Sequence, residues 1–217
     1  MKAGIFSFSW QHVDERVFAA QRRVFEHFHC SLFQHRIHGL PHGEWIDFVM
    51  QRFSNFDVLL FVDSDAFPAN KLALDEALDK ASQGILYGNA QVSHHIDPTR
   101  LFVGPSWCAV SRKSWIAAGS PSARADKLND VAQRWTDQMS SHGIQIETLK
   151  PKSCIKPLWK LPDGSFYGIG TLFESATGAQ NFHMFGVSGD TYQDSQYPAD
   201  LRLRLLEEQA DRICSTR

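Results

Sequence analysis

Residues 57–65 read D-V-L-L-F-V-D-S-D, and residues 58–62 within them form an unbroken apolar run of strand length. Such a run marks a strand buried on both faces of a parallel sheet, where no polar alternation is required. It ends in two carboxylates, Asp63 and Asp65, separated by Ser64, and Pro68 soon rules out a helix. In an open α/β sheet, ligands bind outside the carboxyl ends of the strands. Two acids placed there, one residue apart at a turn, can both face one hard cation. Mg²⁺ or Mn²⁺ held by one or two carboxylates takes its remaining ligands from water and substrate phosphates. The stretch therefore reads as the floor of a metal–diphosphate site, or else as a solvated turn whose acids cap the next element of the chain.

Upstream, residues 3–8 (A-G-I-F-S-F) read as a first strand. Val13, Val17, Ala20, Val24 and Phe28 give a helix over 13–28, with Asp14 and Glu15 in its first turn, where the helix dipole favours acids. Residues 31–37 read as a second strand, Gly39, Pro41 and Gly43 as a loop, and 44–53 as a helix leading into the strand at 57. This β-α-β-α-β opening predicts a doubly wound, Rossmann-like α/β fold with a mostly parallel central sheet flanked by helices. Neither G-x-G-x-x-G nor a P-loop occurs, so a metal rather than a glycine loop must hold any phosphates.

Downstream, 72–81 reads as a helix, 84–87 as a short strand, and His94, His95, Asp97 and Pro98 as part of a polar loop. A strand over 101–110, a short helix over 111–118 and a loop over 120–125 come next. Val131, Trp135, Gln138 and Met139 share one stripe of a helix over 130–142 that Gly143 stops, and 144–149 is a strand. Residues 150–180, rich in Gly and Pro with little periodicity, read as a long active-site loop or lid. Residues 181–187 are short and apolar around His183, and 199–214 form an amphipathic helix.

The totals narrow the class. The 217 residues, without repeat or linker, fit one domain. Hydrophobic content of 43% and charged content of 21% are those of a globular protein, and a net charge of −2 gives no footprint for nucleic acid. No apolar run approaches the roughly 18 residues of a transmembrane segment, and Lys2 precedes too short a run for a signal peptide. Cys30, Cys108, Cys154 and Cys214 are scattered, which argues against zinc ribbons and disulfide scaffolds. A cytoplasmic enzyme is the expectation. His27, His29, His35, His38 and His42 crowd one stretch, but without H-E-x-x-H or Cys/His ligand spacing they read as a surface cluster, some within reach of a diphosphate or nucleobase.

The apolar strand closing in V-D-S-D after a first βαβ half resembles the D-X-D motif of GT-A glycosyltransferases, the nucleotide-diphospho-sugar transferase fold. Three further stretches are similar to that family: F-V-G-P-S-W-C-A-V-S-R-K-S-W at 102–115, Asn129-Asp130 at the expected helix start, and N-F-H-M-F-G at 181–186. Asn129 departs from the Glu of the family's E-D pair. The resemblance implies a single GT-A-like domain over 1–217, with a nucleotide-binding half at 1–100, an acceptor-side half at 101–190 and the C-terminal helix at 199–214. It implies that Asp63 and Asp65 hold Mn²⁺ or Mg²⁺ against the donor phosphates, Ser64 lying between them, with His183 as third ligand. It places Ser7, Phe8 and Ser9 near the nucleoside, Arg36 near the second strand's end, and Gly104 and Trp107 against the donor sugar. Asp130 becomes the general base of an inverting attack, since a carboxylate can take the acceptor's proton; Asp126 and Glu174 stand behind it.

The partners so implied are a nucleotide-diphosphate sugar donor and a glycan or other hydroxyl acceptor. Each residue also has a plainer reading: Trp107 as core, Asp130 as a helix cap, His183 as a hydrogen-bonded core residue. Whole-chain alternatives are a sugar nucleotidyltransferase, which usually carries a Gly-rich basic loop where this chain has S-F-S-W-Q-H-V, and a non-catalytic nucleotide- or carbohydrate-binding module.

Overall fold

A computed structural model describes residues 1–187 and 194–216; residues 188–190, the end of the expected acceptor-side half, lie outside the described residues. The chain runs β1 (Ala3–Trp10), α1 (Glu15–His27), β2 (Phe33–Ile37), α2 (His42–Arg52), β3 (Val58–Asp63), β4 (Ala66–Pro68), α3 (Lys71–Ser82), β5 (Leu86–Ser93), β6 (Asp97–Ser111), α4 (Arg112–Ala117), α5 (Gln133–Ser141), β7 (Ile146–Lys160), β8 (Phe166–Glu174), β9 (Gln180–His183) and α6 (Ala199–Ser215). These strands form a nine-stranded sheet in the order β2-β1-β3-β6-β5-β7-β8-β9-β4.

The β3 strand is buried on both faces, as its apolar run requires. Val58, Leu60 and Val62 join one core with Val17, Ala20 and Val24 of α1, Leu74 and Ala77 of α3, and Leu206 and Ala210 of α6. Leu59 and Phe61 join the other, with Trp45, Ile46 and Val49 of α2 and Trp135 and Met139 of α5. Each Val, Leu, Ile, Phe or Met among them contributes about 1.5–3 kcal/mol when fully buried. Local caps agree with the elements: the Asp14 carboxylate accepts from the Arg16 backbone N–H at the start of α1, and Ser111 Oγ accepts from the Ser114 N–H at the start of α4. The Arg112 guanidinium donates to the carbonyls of Met50, Phe53 and Phe56 and so closes the C-terminal end of α2.

Three expectations are corrected. The sheet is mixed rather than mostly parallel: β1 pairs in parallel with β2 and β3, and β5 with β7, while the other five pairings are antiparallel. The reason lies at 94–96, where a tight turn folds β5 and β6 into a hairpin in place of a longer polar loop.

Second, residues 150–180 are no lid but the long antiparallel pair β7–β8. Pro151 and Pro157 sit at two register shifts in that ladder, where a residue without an N–H is tolerated. Gly168 is needed for close approach, since a Cβ there would lie 2.3 Å from the carbonyl oxygen of Lys156. Third, the helix expected from 130 starts at Gln133, because Ala132 adopts a left-handed φ of 62° and breaks the turn ahead of it. Asp130 thus precedes the helix rather than opening it. Among the described residues no helix is long and apolar enough to cross a membrane.

Candidate metal centre

The aspartates are placed by the end of β3. Phe61 and Val62 still run in the sheet; Asp63 pairs with Phe8 of β1, and the chain then turns through Ser64 and Asp65 into β4. Gln21, fully buried on α1, holds this turn from behind. Its Nε2 donates to the carbonyls of Asp63 at 2.7 Å and Ala66 at 2.8 Å, and its Oε1 accepts from Gln34.

The histidine comes from the far end of the chain and is brought in by β4. In the β4–β9 ladder Ala66 stands opposite His183, and the Met184 N–H donates to the Asp65 carbonyl at 2.9 Å. A buried pair of amides steadies β9 from its other side: Asn89 Nδ2 donates to Asn181 Oδ1 at 3.0 Å, and Asn181 Nδ2 returns a bond to Asn89 Oδ1 at 2.9 Å.

One ligand atom each from Asp63, Asp65 and His183 therefore lie within 4.8 Å of one another. His183 Nε2 is 3.3 Å from Asp65 Oδ1 and 3.8 Å from Asp63 Oδ2. On the other side of Asp63, His42 Nε2 is 3.5 Å from Oδ1. The carboxylate of Asp63 thus stands between two imidazoles. These groups border a cavity of about 140 Å³ that Phe8, Ser9, Trp10, Ser64, Phe185 and Gly186 complete.

The electrostatics suit a cation. Burial pushes the Asp63 carboxyl above its usual range, Asp65 adds to the push, and His42 and His183 oppose it. Burial works against a charged His183, but the Asp65 and Asp63 carboxylates outweigh it and hold the imidazole above its usual range. Burial lowers His42 despite the pull of Asp63, Asp65 and Asp130. Two carboxylates held this close raise one another's cost of ionisation until positive charge lies between them. Two carboxylate oxygens and one imidazole nitrogen form a donor set of the kind that divalent cations take. The residues present fit a divalent cation.

The other expected site residues fall in two groups. Phe8, Ser9 and Ser64 line the cavity; the Ser64 hydroxyl is buried without a partner among the described residues. Ser7 is fully buried on β1 and does not border it. Arg36 is engaged elsewhere, donating to the Glu15 carboxylate and to the carbonyls of Gln11 and Val13. Gly104 lies on β6 opposite Asn89, where a Cβ would strike the Gln91 side chain, and Trp107 is buried in the core beside Val62.

Asp130 accepts from the Val131 N–H at 2.8 Å and from Ser93 Oγ at 3.3 Å, and it lies close enough to act on His42, His94 and Tyr167. Asp126 bonds the Leu128 and Asn129 N–H groups and pairs with Arg134, while Glu174 pairs with Lys152. Sequence reasoning passed over Gln21, Trp10 and the Asn89–Asn181 pair. It also left His42 within a crowd of histidines, although the helix start after Gly39 and Pro41 was its available signal.

The chain matches no protein-family model and no curated protein. Among solved structures it is similar to A197 from STIV, with a TM-score of 0.46 and 10% identity over 76% of this chain and 93% of that one. A protein of Desulfovibrio desulfuricans G20 assigned as a nucleotide-diphospho-sugar transferase gives 0.43 and 14%, over 69% and 80%. The bifunctional IspDF of Campylobacter jejuni gives 0.42 and 10%, over 98% and 79%. At such scores and identities the likeness carries no functional weight; what bears on function is the geometry of the site.

Proposed function

We propose that the chain is a metal-dependent glycosyltransferase that moves a sugar from a nucleoside-diphosphate sugar to a hydroxyl acceptor. The observation that carries this reading is the meeting of Asp63, Asp65 and His183 at the carboxyl end of β3, beside a cavity walled by the end of β1. Asp63, Asp65 and His183 would hold Mn²⁺ or Mg²⁺, and the imidazole favours Mn²⁺. Bound there, the ion supplies Lewis-acid stabilisation of the leaving nucleoside diphosphate.

The chain's own residues do the rest. Phe8, Ser9 and Trp10 wall the donor side, and the unpartnered Ser64 hydroxyl is left to a ligand oxygen. Asp130 is the base in this reading: its carboxylate, held by the Val131 N–H and Ser93 Oγ, acts electrostatically on His42 beside the cavity. The acceptor oxygen bonds to the anomeric carbon as the bond from that carbon to the diphosphate oxygen breaks, and the acceptor's proton passes to Asp130. Attack opposite the leaving group inverts the anomeric configuration.

A thermal-shift screen of nucleotide sugars with and without Mn²⁺, followed by product analysis, tests the reading. A donor at a hundredfold its dissociation constant stabilises by about 2.7 kcal/mol. Stabilisation that requires metal, is lost in Asp65→Ala and accompanies release of nucleoside diphosphate supports glycosyl transfer. Release of pyrophosphate from a nucleoside triphosphate and a sugar phosphate would make the chain a nucleotidyltransferase, and no response to any donor or metal would overturn both.

A further inference from the structure

His42 stands outside the Asp63–Asp65–His183 triad, yet its side chain is directed at it. Its ring lies flat on Phe8, with centroids 5.1 Å apart and planes 11° from parallel, and leans on Trp45 at 5.9 Å. Phe8 is the residue opposite Asp63 in the β1–β3 ladder, so the same strand pairing that sets Asp63 also sets the surface on which His42 rests.

The backbone carrying His42 is fixed as well. His42 opens α2, and the next residue, Gly43, is pressed so closely on the 123–124 backbone that a Cβ would lie 2.4 Å from the Ala123 carbonyl. Asp47, one turn on, accepts from Ser122 Oγ at 2.6 Å and from the Ala123 N–H at 2.7 Å. Ring, helix start and loop therefore leave the imidazole little choice of direction. Its Nε2 faces Asp63 Oδ1 at 3.5 Å, while the second oxygen, Oδ2, is the one turned toward His183.

We infer that His42 is a positioning residue of the metal centre: from 3.5 Å it offers Nε2 to Asp63 Oδ1 and thereby leaves Oδ2 for a cation between Asp65 and His183. Ligating groups are generally oriented by a second hydrogen-bonded partner, and losing that partner weakens metal binding by about 10–100-fold. The inference rests on the metal-centre reading above and adds a role for a residue outside the triad.

The test is a calorimetric titration of the whole chain with Mn²⁺ alone, without nucleotide, so that any contact of His42 with a substrate plays no part. His42→Phe keeps a flat ring on Phe8 and removes the donor; His42→Gln places an amide nitrogen near the position of Nε2. The expected result is an affinity roughly 10–100-fold weaker in the Phe variant, recovered in large part by Gln, with melting temperatures in excess chelator equal to wild type. Should the Phe ring disturb α2, His42→Ala read against His42→Gln asks the same question. Wild-type affinity in the Phe or Ala variant overturns the inference, as does a Gln variant no better than Phe, since a donor is then not what matters. A wild-type chain that binds no Mn²⁺ overturns the metal-centre reading itself, and the role of His42 with it.

Discussion

The two sides of the candidate metal centre are built differently. The aspartates sit on a turn that ends β3, a strand buried on both faces and flanked by β1 in parallel and β6 in antiparallel. The histidine sits on the four-residue strand β9, held between the three-residue β4 and the long β8. One side is fixed by apolar burial along a whole strand, with Gln21 bonded behind its turn; the other depends on the Asn89–Asn181 pair and on how well a bulged hairpin closes. The carboxylates are therefore placed almost independently of the ligand they hold, whereas the imidazole's place is a property of the whole second half of the sheet.

That contrast can be attacked at named positions. The largest stability loss is expected for Gln21→Leu, which removes the donor to the carbonyls of Asp63 and Ala66, while the Gln34 amide keeps its bond to the Phe18 carbonyl. With about 1–3 kcal/mol for each buried group left unsatisfied, partly relieved by relaxation, a loss of about 2–4 kcal/mol should appear in urea unfolding. A loss below about 1 kcal/mol would mean that burial alone holds the turn.

Next comes Asn181→Leu, which leaves Asn89 without its reciprocal partner and should cost about 1–3 kcal/mol. Replacing both asparagines by leucine should recover much of the stability, because apolar pairs of similar shape are often nearly neutral. Metal affinity should fall in both Asn181→Leu and Gln21→Leu, since each loosens one side of the triad. Gly168→Ala probes the same point farther away. Its Cβ would press on the Lys156 carbonyl, opening the β7–β8 pair by about 1–3 kcal/mol while leaving Asp63 and Asp65 undisturbed.

The smallest effect is chemical. Cys108, on β6 against Phe61, is buried and its thiol is pushed up to about 12, whereas Cys154 on β7 is half-buried. The thiolate is the reactive form. Iodoacetamide at neutral pH should therefore label Cys154 well before Cys108, as read by mass spectrometry; equal labelling would mean that the β3 side is not the closed one.

Legibility in the sequence divides along the same line. The opening β-α-β-α-β and the Asp63–Asp65 turn could be read because a strand buried on both faces needs an unbroken apolar run, and because Val17, Ala20 and Val24 repeat at helical spacing on the face that α1 buries. The direction of β5 and β6 could not, since a buried antiparallel strand carries the same apolar run as a parallel one. In β7 and β8 the prolines and glycines that mark bulges and close approaches in a hairpin look the same as those that mark loops. His183 stood out as a histidine in a short apolar segment. His42 and Gln21 did not, because each acts through a partner 21 or 42 positions away, and no local pattern records such a pairing.

The most direct measurement is the binding isotherm of Mn²⁺ with the wild-type chain and with Asp65→Asn and His183→Gln. One site per chain is expected, lost or severely weakened in both variants, although one change lies on the turn and the other on β9. Binding that is absent in the wild type, or that survives unchanged in either variant, would contradict a cation held between the two halves of the sheet.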